Sequence, residues 1–293
     1  MSVRCRFRIP ESDVQKAVDF FSGLGFSVSG NSSVTNLKRE KSSISLYTSG
    51  TVICELAGDM YSELVRDYFV SFQFDYREYA NRVLDLPLPA VWAGSDESGK
   101  GDYFGPLVVA AVCVNDDKAR RLFISGVTDS KRLSSAELKR LNECIFDIAG
   151  RNCIEIICIS PSSFNRLYDR MQNMNDILAW AHQKALSAVS SRNACTAAVI
   201  DKFSTDRTVD RMSKSLPGVA LHAITRGERE IAVAAASVVA SARFAKEMDT
   251  IGNAMGVQIP FGAGESAGKL AKTIISEQGR DYFRTVGKAN FRL

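Results

Sequence analysis

Hydrophobic and polar residues alternate at the start of the chain. Val3, Cys5, Phe7 and Ile9 fall on one face, and Arg4, Arg6 and Arg8 on the other. A period of two predicts a half-buried strand. Pro10, Glu11, Ser12 and Asp13 then open a predicted helix over 13–24, closed by Gly25. Apolar runs at 26–29, 43–47 and 52–56 predict strands, with Gly50 marking a hairpin turn. Residues 61–72 read as a second helix. Pro87 and Pro89 interrupt this pattern and divide the chain into a small α+β layer structure, 1–86, and a larger region, 87–293.

Beyond the prolines the pattern changes. Residues 91–95 and 107–114 are apolar and predict a strand hairpin. Ser134 and Ser135, with Glu137, mark a helix start that continues over 136–149. Residues 153–160 and 197–200 are buried-strand runs, the second ending at Asp201. Between them, 175–190 places Ile177, Leu178, Ala181 and Ala185 on one helical face. Residues 230–247 form an alanine-rich stretch, apolar over most of its surface, which predicts a central helix. The alternation predicts a mixed sheet covered by helices.

Composition narrows the class. The chain has 293 residues, is 45% hydrophobic and 24% charged, and carries a net charge of +4. These are the proportions of an ordinary globular protein, and its mild basicity permits a polyanionic partner without demanding one. The basic excess sits in the second region: 1–90 holds 10 Lys or Arg against 11 Asp or Glu, and 91–293 holds 27 against 22. The three arginines of the first strand, with Lys38, Arg39 and Lys41, therefore read either as a solvated sheet face or as a nucleic-acid backbone contact. Cys5, Cys54, Cys113, Cys144, Cys153, Cys158 and Cys195 include no C-x-x-C pair, which argues for reduced, mostly buried thiols over a zinc site. No signal-peptide pattern and no 18-residue apolar segment is present, so a soluble cytoplasmic protein is expected. Nothing requires a membrane, an obligate protein partner or more than a monomer.

The chemistry concentrates at 94–106, G-S-D-E-S-G-K-G-D-Y-F-G-P. An adjacent acid pair, Asp96 and Glu97, meets a glycine-rich turn. Carboxylates that can hold a metal thus lie beside backbone able to approach a phosphate or sugar. The same letters contain most of a nucleotide-binding P-loop. However, Gly101 follows Lys100 where Ser or Thr is needed, and two glycines and a proline oppose a helix start. A two-metal phosphodiesterase needs three or four converging carboxylates, which makes Asp201 and Glu228 the further candidates. Glu230, two residues on, competes with Glu228 for the fourth place. Each also has a plainer role, Asp201 as a turn residue and Glu228 as a helix N-terminal charge. Oxygen ligands alone suffice for magnesium.

D-E-S-G-K-G-D-Y-F-G-P resembles the signature of bacterial ribonuclease HIII, in the type 2 ribonuclease H group. Asp129-Ser130-Lys131 resembles that group's D-S-K. The stretch 173–182, N-M-N-D-I-L-A-W-A-H, resembles a helix of the HIII branch. Asp201 fits the strand-end aspartate, Arg226-Gly227-Glu228 followed by A-V-A-A-A-S at 232–237 the fourth-acid region, and Lys288-Ala289-Asn290-Phe291 the terminal K-x-H-F with Asn in place of His.

The resemblance implies a ribonuclease H-like catalytic domain. It also implies an N-terminal substrate-binding domain similar to the TATA-binding-protein fold. The implied activity is cleavage of RNA in RNA–DNA hybrids, leaving 5′-phosphate and 3′-hydroxyl ends. Two Mg2+ or Mn2+ ions would be held by Asp96, Glu97, Asp201 and Glu228. Ser98, Gly99, Lys100 and Gly101 would read the ribose, Lys100 and Lys131 would meet phosphate, and Arg4, Arg6 and Arg8 the substrate backbone. His182, on a mostly apolar helix face, reads as a hydrogen-bonded structural residue. The rival readings are a ribonuclease HII-like junction endonuclease, a metal-dependent DNA nuclease and a hybrid-binding protein without activity.

Overall fold

The computed structural model describes residues 2–57, 68, 76–127, 130–202 and 206–291. The helix expected over 61–72 lies outside them, apart from Tyr68. They form two compact units, Met1–Asp75 with Phe123–Gly126, and Tyr76–Leu122 with Val127–Leu293.

In the first unit, β1 (Ser2–Arg8) is followed by α1 (Val14–Gly23) and four strands: β2 (Ser27–Gly30), β3 (Val34–Arg39), β4 (Ser42–Tyr47) and β5 (Thr51–Ala57). All pair antiparallel in the order β1-β5-β4-β3-β2. Strand β3 escapes the sequence pattern because Thr35, Asn36, Lys38 and Arg39 dilute its two apolar residues. Alternation in β4 buries Ser42, Ile44 and Leu46, and α1 turns Ala17, Val18 and Phe21 to the core. Tyr68 completes the core, its ring 4.7 Å from that of Phe21.

The second unit opens with α2 (Tyr76–Leu84). A sheet follows, built from β6 (Val91–Ser98), β7 (Leu107–Asn115), β8 (Ile154–Ile159), β9 (Ala197–Asp201) and β10 (Ala220–Ile224). Its order is β10-β9-β6-β7-β8. Strands β10, β9 and β6 run parallel, and β7 and β8 antiparallel. The connecting helices are α3 (Asp116–Ile124), α4 (Ser135–Ala149), α5 (Pro161–Met171), α6 (Met174–Asn193) and α7 (Asp206–Lys214), ending with α8 (Ile231–Met255) and α9 (Glu265–Val286). Helix α4 starts as the sequence predicts, in a capping box between Ser134 and Glu137. No described helix is long and apolar enough to cross a membrane.

Strand β6 lies at the centre, and its side chains alternate between two helices. Trp92 points toward α8, donating its indole N–H to Glu230 at 2.9 Å. A Cβ at Gly94 would lie 2.2 Å from Val233 N and 2.3 Å from Ala232 C, so the first turn of α8 rests directly on the strand backbone. Ser95 points the other way, to His182 on α6 at 2.7 Å. Glu230 is the N-cap of α8, accepting from the N–H groups of Ala232 and Val233 at 2.9 and 3.1 Å.

The turn between β6 and β7 is clamped by the C-terminal segment. Gly105 donates to Val286 O at 3.0 Å, and Lys288 N donates to Tyr103 O at 2.8 Å. The Lys288 ammonium, fully buried, donates to the carbonyls of Asp102 and Phe104 at 3.1 and 3.2 Å. D-Y-F and K-A-N-F, two stretches that carry the family resemblance separately, thus meet in one contact between distant parts of the chain. Asn165 secures the clamp, its amide donating to the Gly287 carbonyl at 2.8 Å and its carbonyl accepting from Ala289 N at 2.8 Å.

Gly94→Ala should destabilise the protein by about 3 kcal/mol, because two backbones must separate; urea unfolding measures it. Burial pushes the Lys288 amine down to about 7, against the pull of Asp102. Between about 7 and the ordinary 10.5, the unfolded chain therefore binds more protons at this position than the folded one. Stability carried by Lys288 should rise with pH across that window, and Lys288→Met should flatten the slope in denaturation midpoints measured from pH 7 to 10.

Candidate active site

The acid pair belongs to strand β6 itself, which continues through Ser98 instead of ending at 95. Alternation sends Asp96 toward the α8 face and Glu97 toward the α6 face. Asp96 accepts a hydrogen bond from Ser237 of α8, and its Oδ1 accepts from Glu97 N at 2.8 Å. Burial first, and the neighbouring Glu97 charge second, push the Asp96 carboxyl up to about 7. Burial acts on Glu97 in the same direction. The hydrogen bond and charge of His182, with the charges of Lys100 and Lys131, outweigh it and hold Glu97 below the ordinary range. Lys100 Nζ stands 3.8 Å from Glu97 Oε1.

Asp201 ends β9, the parallel neighbour of β6. The pairing of Ser95 with Ile200 leaves Asp96 and Asp201 as the next residues on adjacent parallel strands. Its Oδ1 accepts from Lys202 N at 3.0 Å and Gly227 N at 2.9 Å. A Cβ on Gly227 would lie 2.7 Å from Asp201 Cα. That approach explains the glycine before Glu228 and sets Glu228, half-buried in a single 3-10 turn, next to Asp201. Among the described residues, no three His, Cys, Asp or Glu side chains close on one point. The backbone N–H groups that hold Asp201 Oδ1 keep that carboxylate turned toward Gly227.

Glu230 and Glu228 now separate. Glu230 is fully buried, and its two oxygens are occupied by Trp92 and the first turn of α8. Glu228 keeps partial access to solvent.

The glycines of the turn also separate. Gly99 has φ +86°, and a Cβ there would meet Pro106 O at 2.3 Å and the Phe244 ring at 2.7 Å, so packing alone demands glycine. Gly101 is exposed, with open space where a side chain would stand. Ser98 is half-buried at the strand end, and Lys131 is exposed. Asp129 and the side chains of Arg4, Arg6 and Arg8 lie outside the described residues.

Two contributors carry little sequence signal. Ser237 is 3% exposed in the alanine-rich run; besides Asp96 it meets Ser130 Oγ at 2.9 Å, which ties the D-S-K segment to α8. Its clue is the hydroxyl that ends the A-V-A-A-A-S run at 232–237. His182 is 1% exposed and its Nε2 lies 3.2 Å from Glu97 Oε2, a contact that helical periodicity does not reveal.

A family model described as Ribonuclease HII matches residues 93–293. The chain belongs to the ribonuclease HII family. Its similarity extends to proteins named ribonuclease HIII. One, from Protochlamydia amoebophila, is 29% identical over 252 residues, covering 84% of this chain and 80% of its own. Another, from Limosilactobacillus fermentum, is 35% identical over 196 residues, covering 64% and 63%. Among solved structures, Bst-RNase HIII in complex with Mn2+ has a TM-score of 0.64 at 23% identity, covering 99% of this chain and 96% of that one. That likeness speaks to the fold, and it spans both units. As the family places it, the chain is an enzyme of the ribonuclease H class.

Glu228→Gln should leave the denaturation midpoint unchanged while lowering nuclease turnover about 100-fold or more, the scale of a lost electrostatic contact at a reacting centre. Glu230→Ala should instead cost about 2–4 kcal/mol in urea unfolding, since a cap and a buried indole N–H lose their acceptor together. Reversal of the two phenotypes would exchange the assignments.

Proposed function

We propose that this protein is an endoribonuclease that hydrolyses the RNA strand of RNA–DNA hybrids, leaving 5′-phosphate and 3′-hydroxyl ends. The observation that carries the reading is the end of strand β6. There Asp96 and Glu97 stand beside Asp201 of β9 and adjoin a turn with open space at Gly101.

The residues fit a pair of divalent cations. The donors are carboxylate oxygens, which suit Mg2+ or Mn2+. Asp96 is half-buried next to another acid, a setting that favours its proton and that a bound cation reverses. Asp96, Glu97, Asp201 and Glu228 would hold the ions, which supply an activated water and stabilise the departing 3′ oxygen. Ser98 and Gly101 line the place where the 2′-hydroxyl, the group that separates RNA from DNA, would be read. Gly99 serves by holding the turn's shape. Lys100 and Lys131 would meet phosphate oxygens close to Glu97.

The N-terminal region, residues 1–86, would act as the substrate-binding domain similar to the TATA-binding-protein fold. Arg4, Arg6 and Arg8 would contact the backbone without reading sequence. Tethering this domain to the catalytic one raises the local substrate concentration.

The test is cleavage of a labelled RNA–DNA hybrid with Mg2+, Mn2+ or chelator, by wild type and Asp96→Asn. Cation-dependent cutting of the RNA strand alone is expected, and the substitution should lower it by about three orders of magnitude, the several kcal/mol that a metal site contributes. Equal cutting of a DNA–DNA duplex would favour a DNA nuclease, and binding without cutting would favour a hybrid-binding protein.

A further inference from the structure

Strand β6 presents Ser95 and Glu97 to the same face, two residues apart, and one side chain of α6 spans both. Ser95 Oγ donates to the Ala110 carbonyl at 2.8 Å, which fixes the hydroxyl against β7. His182 Nδ1 lies 2.7 Å from that oxygen, and His182 Nε2 lies 3.2 Å from Glu97 Oε2. The imidazole is 1% exposed and Ser95 is fully buried, so the ring is held at both nitrogens inside a closed layer.

A plain core histidine needs polar partners, and backbone carbonyls would serve. This one instead spends a nitrogen on the acid that follows Asp96, and its other nitrogen is braced on a hydroxyl itself tied to the sheet. A glutamate has three rotatable bonds, and a carboxylate that must face a cation benefits from having them fixed.

We propose that His182 is the positioning residue for Glu97, with Ser95 as its brace. This inference rests on the reading of Glu97 as a metal-holding acid. His182 touches neither substrate nor cation. It holds one carboxylate oxygen, Oε2, and leaves Oε1 on the side of Lys100, where Nζ lies 3.8 Å away. The ring reaches Glu97 because α6 packs on the sheet face opposite α8. Metal holding on this strand then depends on two helices: α8 through Ser237 and Asp96, and α6 through His182 and Glu97.

The experiment is Mn2+ binding to the full chain without substrate, read from the free-ion paramagnetic resonance signal. Thermal unfolding and hybrid cleavage are measured on the same samples. Wild type, His182→Ala, His182→Gln and Ser95→Ala are compared. A residue that orients a ligand usually costs ~10- to 100-fold in metal affinity when removed, and that loss is expected for His182→Ala. Glutamine places an amide N–H near the position of Nε2, so His182→Gln should recover most of the affinity. Ser95→Ala should weaken binding by a smaller factor, with the ring present but unbraced.

Wild-type affinity in a folded His182→Ala overturns the proposal. So does equal loss in the Ala and Gln variants accompanied by matching loss of thermal stability, which marks a packing role. If His182→Ala does not fold, Ser95→Ala decides, and unchanged affinity there overturns it. Failure of the underlying reading looks different: wild type itself would neither take up Mn2+ nor cut the hybrid, whatever stands at 182.

Discussion

The contact between Gly94 and the first turn of α8 sets the geometry of the catalytic unit. Only a residue without a side chain lets the helix backbone reach the strand backbone. Once it does, the alternation of β6 leaves little freedom. Trp92 must meet the N-cap of α8, and Asp96 must meet Ser237 two turns further on. Ser95 and Glu97 must face α6. An acid pair adjacent in sequence is thereby split between two faces of one sheet and supported from each by a different helix. Its two members also titrate apart, Asp96 upward and Glu97 downward, because only Glu97 has cationic neighbours close enough to outweigh burial.

Buried polar groups do much of the joining between distant segments. Glu230, Lys288, His182 and Asn165 are all buried, and each finds partners across the unit. An unsatisfied group of this kind costs on the order of 1–3 kcal/mol, so each one penalises arrangements that separate its partners. The Lys288 clamp is the clearest case. Lys288 shapes the turn after the acid pair, which places a segment far away in sequence under the same constraint as the functional centre.

Much of this was legible in the residues. Apolar runs marked β6, β7, β8 and β9, and the Ser134 capping box marked α4. The order of acidic motifs marked the site. The reading faltered where periodicity is weak. Strand β10 is paired on one side only among the described residues and is short, with a histidine at its middle. Helix α9 mixes glycines and lysines into its pattern and is broken at Gly279, with φ +86°. Strand β6 was cut short because Asp96 and Glu97 look like an exit to water, whereas pairing with β7 continues through Ser98.

The sequence by itself determined which chemistry is present: carboxylates in a fixed order, glycines beside them, and a helix apolar over most of its surface that belonged at the centre. Those are local properties, carried by residue type and spacing. Tertiary structure decided what the residues do for one another. It assigned Glu230 to a buried cap and left Glu228 open, and it gave Gly99 to packing and Gly101 to open space. It brought His182 and Ser237 to the acids from helices 85 and 141 residues away along the chain. Spacing cannot encode such meetings, because they depend on which faces of β6 the two helices cover, and that is settled only when the backbones close at Gly94.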